Sequence, residues 1–255
     1  MQKSTDHYGL CALSIVPVRI NADHCSEQVT QLLYGDHFKI TENRKDWSKI
    51  RCAYDNVEGW VCKKQITGIS KNDYKAIKEV KTPTYASDLI AFVSDVTNQL
   101  TPVMLGSLVD NTSLLQHEFE GETNSGKSKK SNLITTALQY LNAPFQWGGK
   151  TPFGIDCSGL SQMVYKINGY SLPRDAEVQA AQGDVLSFVE ESEPGDLAFF
   201  DNNEGVITHV GIIMKNNYII HAHGRVRIDR IDQTGIFKSE LGAYTHKLRV
   251  IKKII

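Results

Sequence analysis

The chain has 255 residues, with 28 basic against 29 acidic side chains and an apolar content ordinary for a folded globular protein. The charge balance gives no electrostatic footprint for nucleic acid, and no apolar run approaches the ~18 residues of a membrane span. Five cysteines at irregular spacing (Cys11, Cys25, Cys52, Cys62 and Cys157) make neither a disulfide framework nor a zinc pattern. Cys52 and Cys62 read as two small buried thiols, with a facing pair across a hairpin as the alternative. The start, Met1 to His7, is polar, with no apolar signal-peptide core after it. That favours a cytoplasmic protein; a removed leader would make it periplasmic or secreted.

Residues 10–69 read as short strands broken by turns. Ala12–Arg19, Glu27–Leu33, Phe38–Glu42, Trp47–Arg51 and Glu58–Val61 follow one another at the spacing of a small all-β barrel. Gly35-Asp36 marks the turn after the second of them.

Residues 70–125 carry strand candidates at Thr84-Tyr85, Ile90–Val93 and Pro102–Leu108. They are compatible with a second, degenerate barrel unit or with an elaborated connector. Gly121–Ser128 spells G-x-x-x-x-G-K-S. A phosphate loop needs a buried apolar strand before it, and Gln116–Glu120 is not one, so the run reads as an interdomain segment.

From about residue 126 the pattern changes. Leu133–Leu141 has helical spacing of its apolar positions. A second helix follows Cys157. Strand candidates then cluster at Leu197–Phe200, His209–Met214, Tyr218–Ala222, Val226–Ile228 and Leu248–Ile251. Helices followed by an antiparallel sheet make an α+β domain.

The chemistry concentrates at Gly154-Ile155-Asp156-Cys157-Ser158-Gly159-Leu160. A cysteine opening a helix sits where the macrodipole and unbonded N–H groups favour a thiolate. Gly159 allows another segment to approach closely, which suits a substrate cleft. His209 and His221 lie equidistant from Lys215, in the turn Lys215-Asn216-Asn217, which places them near-opposite across a hairpin. His223 is displaced by two on the same face. Cysteine, base and a group that orients the base are the parts of nucleophilic acyl transfer. His209 and Cys157 are expected to form an ion pair.

These residues resemble the NlpC-type cell-wall cysteine peptidases, which have a papain-like fold. The matching segments are Asp156–Leu160, His209–Ile212 and Ile220–Ala222. Ala143–Lys150, Leu172–Ala176 and Pro194–Leu197 add further landmarks in the same order. Gly35-Asp36, Trp47–Ile50 and Gly59-Trp60-Val61 resemble a bacterial SH3-type domain. The combination is similar to YkfC-type endopeptidases, which cut between γ-D-glutamate and a diamino acid in peptidoglycan stem peptides.

The resemblance implies Cys157 as nucleophile, His209 as base and His221 as orienting residue, with no metal or organic cofactor. It implies L-Ala-γ-D-Glu-diamino acid peptides as substrate. Asp156 and an acidic residue of the SH3-type domain, for which Glu27 is the candidate, would hold the free amine. Ser158 and Tyr54 would add substrate contacts. The sequence departs from the family at Phe145, where a tyrosine often supplies an oxyanion-hole hydroxyl. It departs again at Val57, where an aromatic is frequent, and at Glu177, where a small polar residue is common. Phe145 keeps open a weakly active or inactive module that binds wall fragments. An amidase or acyltransferase on the same scaffold is the other alternative.

Overall fold

The computed structural model describes residues 7–255, so nearly all of the polar Met1–His7 start lies outside the described residues. The chain divides into two compact units that meet at Gly126 and Lys127.

In the first unit, Ile15–Arg19 buries Val16 and Val18 and leaves the residues between them half-covered. Trp47–Cys52 buries Ser48, Ile50 and Cys52, with Lys49 half-covered and Arg51 exposed between them. This period of two lets one face of each strand enter a core. Seven antiparallel strands result, in the order Gln28–Leu33, Ile15–Arg19, Glu58–Cys62, Trp47–Cys52, His37–Asn43, Tyr8–Leu10 and Thr67–Gly68. Val16, Val18, Leu32, Phe38, Ile50 and Val61 form the core with Cys11 and Cys52, and all five cysteines are unbridged.

The Gly35-Asp36 turn has a physical reason for both residues. Gly35 has φ +81°, and a Cβ there would lie 1.8 Å from the Leu108 carbonyl oxygen. The Asp36 carboxylate accepts the Leu33 N–H at 2.9 Å.

Residues 70–125 pack into the same unit. The helix Lys71–Glu79 was not read from the sequence, although Ser70 and Asp73 form a complete capping box. Ile90–Ser94 lies between Leu100–Met104 and Glu118–Glu120 in a three-stranded sheet. Its Ala91 and Val93 close over Tyr34, while Tyr85, Ile77 and Leu108 close over Leu10. Within the Gly121–Ser128 run, Thr123–Ser125 is a strand rather than part of a phosphate-cradling loop. Thr123–Ser125 pairs antiparallel with Thr84–Ala86, and Ser128 N–H bonds the Asn168 carbonyl.

The second unit begins with the helix Asn132–Gln139 and the short hairpin Lys150-Thr151/Gly154-Ile155. The helix Cys157–Ile167 follows, and every residue from Ser158 onward is buried. An antiparallel barrel comes next. Ala243–Lys253 pairs with Leu197–Asp201, then Ile207–Met214, Tyr218–His223, Arg225–Ile231 and Gly235–Lys238, which pairs back onto Ala243–Lys253 and closes six strands. Phe200, Ile213, Ile219, Ile231, Ile236 and Ile251 fill one cluster of this barrel. The helix packs against the strands Ile207–Met214 and Tyr218–His223. Tyr165 OH donates to the Gly195 carbonyl at 2.6 Å, and Asn168 bonds Thr136 of the first helix. Among the described residues, no helix is long and apolar enough to cross a membrane.

Candidate active site

Asp156 caps the helix that Cys157 opens. Its backbone is extended (φ −96°, ψ 177°), and its Oδ1 accepts the Gly159 N–H at 2.7 Å. Gly148 N–H donates to Oδ2 at 2.8 Å, and Arg174 closes a two-pronged ion pair at 2.9 and 2.5 Å. Arg174 also donates to Ser158 Oγ at 2.9 Å. All three side chains are buried. Asp156 and Ser158 therefore brace the loop against the helix, a task the sequence reading did not give them. Arg174 was read only as a landmark. Gly159 admits the close approach expected of it, but the approaching group is the Gly149 carbonyl, 2.4 Å from where a Cβ would stand. The glycine serves loop packing rather than an open cleft.

The hairpin differs from its expected register. Met214 pairs with Tyr218 and Gly211 with His221, so the centre lies at Asn216 rather than Lys215. Asn216 and Asn217 both take positive φ in the turn. His221 is thus the diagonal, not the opposite, neighbour of His209. Gly211 makes the diagonal contact workable: a Cβ there would sit 3.0 Å from that of His221. His209 Nε2 and His221 Nδ1 are 2.8 Å apart.

The chain of contacts continues to a residue that sequence reasoning missed. His221 Nε2 meets Asp229 Oδ2 at 2.9 Å, and Arg227 grips the same carboxylate at 2.6 and 2.8 Å. Arg-x-Asp within a strand was the available signal, because residues two apart share a face. Burial opposes ionisation of Asp229, but the hydrogen bonds from His221 and Arg227 outweigh it and hold the carboxyl well below its usual range. An ionised Asp229 requires a proton on His221 Nε2. His221 Nδ1 must then accept, so His209 Nε2 donates. The lone pair of His209 is left on Nδ1.

His246 was also missed. It stacks on His209 with ring centroids 4.2 Å apart, and its Nδ1 meets Thr245 Oγ1 at 2.9 Å. His223 faces the same group from the exposed end, 6.5 Å from His209.

Cys157 is half-buried. The backbone N–H groups of Val210 and Ser158 favour its anion, so the thiol lies near the residue that follows His209. Burial, followed by the charge of Asp156, pushes the thiol up to about 11 despite those N–H groups and Arg174. Burial, then the neighbouring imidazoles, holds His209 well below its ordinary value. Both shifts favour a neutral thiol and a neutral imidazole over the expected ion pair, because desolvation opposes the helix terminus. Phe145 is 41 % exposed and offers no hydroxyl. Its backbone N–H donates to the Gly224 carbonyl.

A polarised sulfur, an imidazole with one committed nitrogen, and a fixed acceptor behind it can carry acyl transfer. Residues 142–245 match the NlpC/P60 family, and residues 18–66 match the bacterial dipeptidyl-peptidase SH3 domain. The chain carries an NlpC/P60 domain behind a bacterial SH3 domain. A dipeptidyl-peptidase 6 of Lysinibacillus sphaericus is 28% identical over 82% of this chain and 86% of its own. A γ-D-glutamyl-L-lysine dipeptidyl-peptidase of Bacillus subtilis is 38% identical over 38% of this chain and 33% of its own. The crystal structure of an NlpC/P60 family protein from Bacillus cereus aligns over 97% of this chain and 99% of its own. The TM-score is 0.76 at 18% identity, a likeness of fold.

Glu27 and Tyr54 belong to the first unit. Glu27 is exposed, and its carbonyl accepts the Ile20 N–H just before the strand Gln28–Leu33. Tyr54 is half-buried in the turn between Trp47–Cys52 and Glu58–Cys62.

Proposed function

We propose that the protein is a cysteine peptidase that hydrolyses the γ-D-glutamyl–diamino acid bond of peptidoglycan stem peptides bearing a free N-terminal L-alanine. The observation that carries this reading is the continuous line from Asp229 through His221 to His209, ending near a sulfur whose anion two backbone N–H groups favour. The likeness to a γ-D-glutamyl-L-lysine dipeptidyl-peptidase supports the substrate class.

As substrate binds, His209 Nδ1 takes the thiol proton while the sulfur attacks the γ-carbonyl carbon. The oxyanion forms at the start of the Cys157 helix, where N–H groups and the macrodipole favour negative charge. Charge gained by His209 is shared with His221 and balanced by Asp229. His209 then protonates the departing amine, the C–N bond breaks, and a thioester remains. Water, deprotonated by the same imidazole, hydrolyses it. Starting from a neutral pair, the proton transfer accompanies attack rather than preceding it.

A carboxylate answering the substrate's ammonium is proposed to set the free-amine requirement, while the Asp156 carboxylate is committed to Arg174 and two backbone N–H groups. Blocking that amine would leave a desolvated carboxylate unpaired, which is how such sites discriminate.

The test is mass spectrometry of products from L-Ala-γ-D-Glu-diamino acid peptides, with free and acetylated N-termini. The expected result is L-Ala-γ-D-Glu from the free peptide only, abolished by Cys157→Ala. Release at the wild-type rate by Cys157→Ala would overturn the cysteine mechanism. Equal cleavage of the acetylated peptide would overturn the amine requirement.

A further inference from the structure

His209, His221 and His246 each offer a ring nitrogen, and these atoms all lie within 4.8 Å of one another. His209 and His221 are buried in adjacent strands of the barrel, and His246 reaches them from the long closing strand. We propose that these three imidazoles form an inhibitory site for a divalent transition metal of the zinc type, which switches the peptidase off by occupying its base.

The ring nitrogens are arranged as metal ligands require. A metal-bound histidine presents one unprotonated nitrogen and donates from the other to an oxygen that fixes its tautomer. His221 donates from Nε2 to Asp229, 2.9 Å away, and so presents Nδ1. Thr245 Oγ1 lies 2.9 Å from His246 Nδ1, so a proton held there leaves the His246 lone pair on Nε2. His209 presents Nε2 once the proton it shares with His221 is displaced. The set is then three neutral imidazoles backed by a carboxylate and a hydroxyl, a donor type suited to zinc, copper or nickel and poor for calcium or magnesium.

With bonds of about 2.0–2.1 Å, tetrahedral zinc needs its nitrogens about 3.4 Å apart. The His209–His221 pair at 2.8 Å has to open slightly, and His246 has to swing inward. Ring rotation at His246 supplies that movement, since it is less deeply buried than the other two.

Inhibition follows from the proton count. Metal on His209 Nε2 takes the position of the hydrogen-bonded proton, so the neutral ring carries its proton on Nδ1. The nitrogen that accepts the thiol proton is then blocked, and Cys157 has no base. This consequence rests on the mechanism proposed above; occupancy of the site does not.

The experiment uses the full chain with Cys157→Ala, to remove competition from the nearby thiol, and titrates it with Co²⁺ and Zn²⁺ after chelator treatment. The expected result is one equivalent bound, with a Co²⁺ spectrum of nitrogen coordination and no thiolate charge-transfer band. His246→Gln in the same background should weaken binding at least about 10-fold. Thr245→Val, which removes only the tautomer-fixing hydroxyl, should weaken it by about 10-fold. Its melting temperature, compared with that of the parent, guards against misfolding as the cause. Absence of binding, a thiolate band, or affinity unchanged in both variants would overturn the site. Separately, Zn²⁺ should inhibit the wild-type enzyme reversibly, with recovery on adding chelator. Binding without inhibition would leave the site standing and overturn the assignment of His209 as base.

Discussion

The two units bury very different interiors. Among the described residues, the first encloses Thr30, Gln31, Ser48, Ser107 and Asn111, and Asp36 is its one buried carboxylate. The second encloses Lys150, Asp156, Lys166, Arg174, Asp196, His209, His221 and Asp229. Buried charge costs several kcal/mol per ion unless it is paired and hydrogen-bonded. A fold that needed only stability would not accumulate such groups. In the second unit five of them answer one another at the candidate site: Arg174 to Asp156 at the helix cap, and His209 to His221 to Asp229 across the barrel strands. The charged interior of the second unit is organised around its candidate site, and the largely uncharged interior of the first holds a frame.

The sharpest way to test that contrast is to change a group remote from the thiol. Asp229→Asn keeps the shape but allows His221 the opposite tautomer, which releases His209 from its fixed orientation. Turnover should fall by about 10²–10⁴ with little change in KM, measured by steady-state kinetics on the free-amine peptide. A merely structural Asp229 would instead lower the melting temperature and leave kcat per folded molecule intact.

The pH dependence of Cys157 alkylation comes next. A thiol pushed up to about 11 by burial loses its proton only in strong base. Its reaction with iodoacetamide should therefore climb about tenfold per pH unit, roughly 10³-fold from pH 6 to pH 9, with no plateau near neutrality. A plateau across that range would restore the ion pair.

Arg174→Met leaves the Asp156 carboxylate buried without its partner. The expected cost is about 3–5 kcal/mol in urea denaturation, partly recovered by adding Asp156→Asn. An unchanged midpoint would mean that the helix-cap ion pair contributes nothing.

The smallest effect belongs to the frame. Tyr34 OH bonds His117 at 2.9 Å in the first unit. Tyr34→Phe should cost about 1 kcal/mol and leave kcat/KM alone. A large loss of activity would break the division of labour between the units.

Much of this could be read in the sequence where a local rule applies. Alternation marked the strands of the first barrel, and the apolar runs marked those of the second. The setting of Cys157 marked a helix start. What escaped depended on the fold rather than on spacing. The His209–His221 contact was expected, but its register was not. The turn centre shifted by one residue, and Gly211 made a diagonal contact possible where an opposite one was expected. Asp229 and His246 come from strands whose pairing the sequence does not specify, so nothing local ties them to His209. The helix terminus at Cys157 suggested a lowered thiol pKa, but the burial that outweighs it is a property of the closed packing. Arg174 stood out as a sequence landmark, yet its task became visible only once the loop was folded against the helix.

The central claim is that Asp229 fixes His221, which fixes His209 with its lone pair on Nδ1. Nitrogen NMR of the chain labelled in its histidine rings reads this directly at neutral pH. The account predicts a neutral His209 with its proton on Nε2 and none on Nδ1, converting to the mixed tautomer in Asp229→Asn. A His209 doubly protonated at neutral pH, or one carrying its proton on Nδ1, would contradict it.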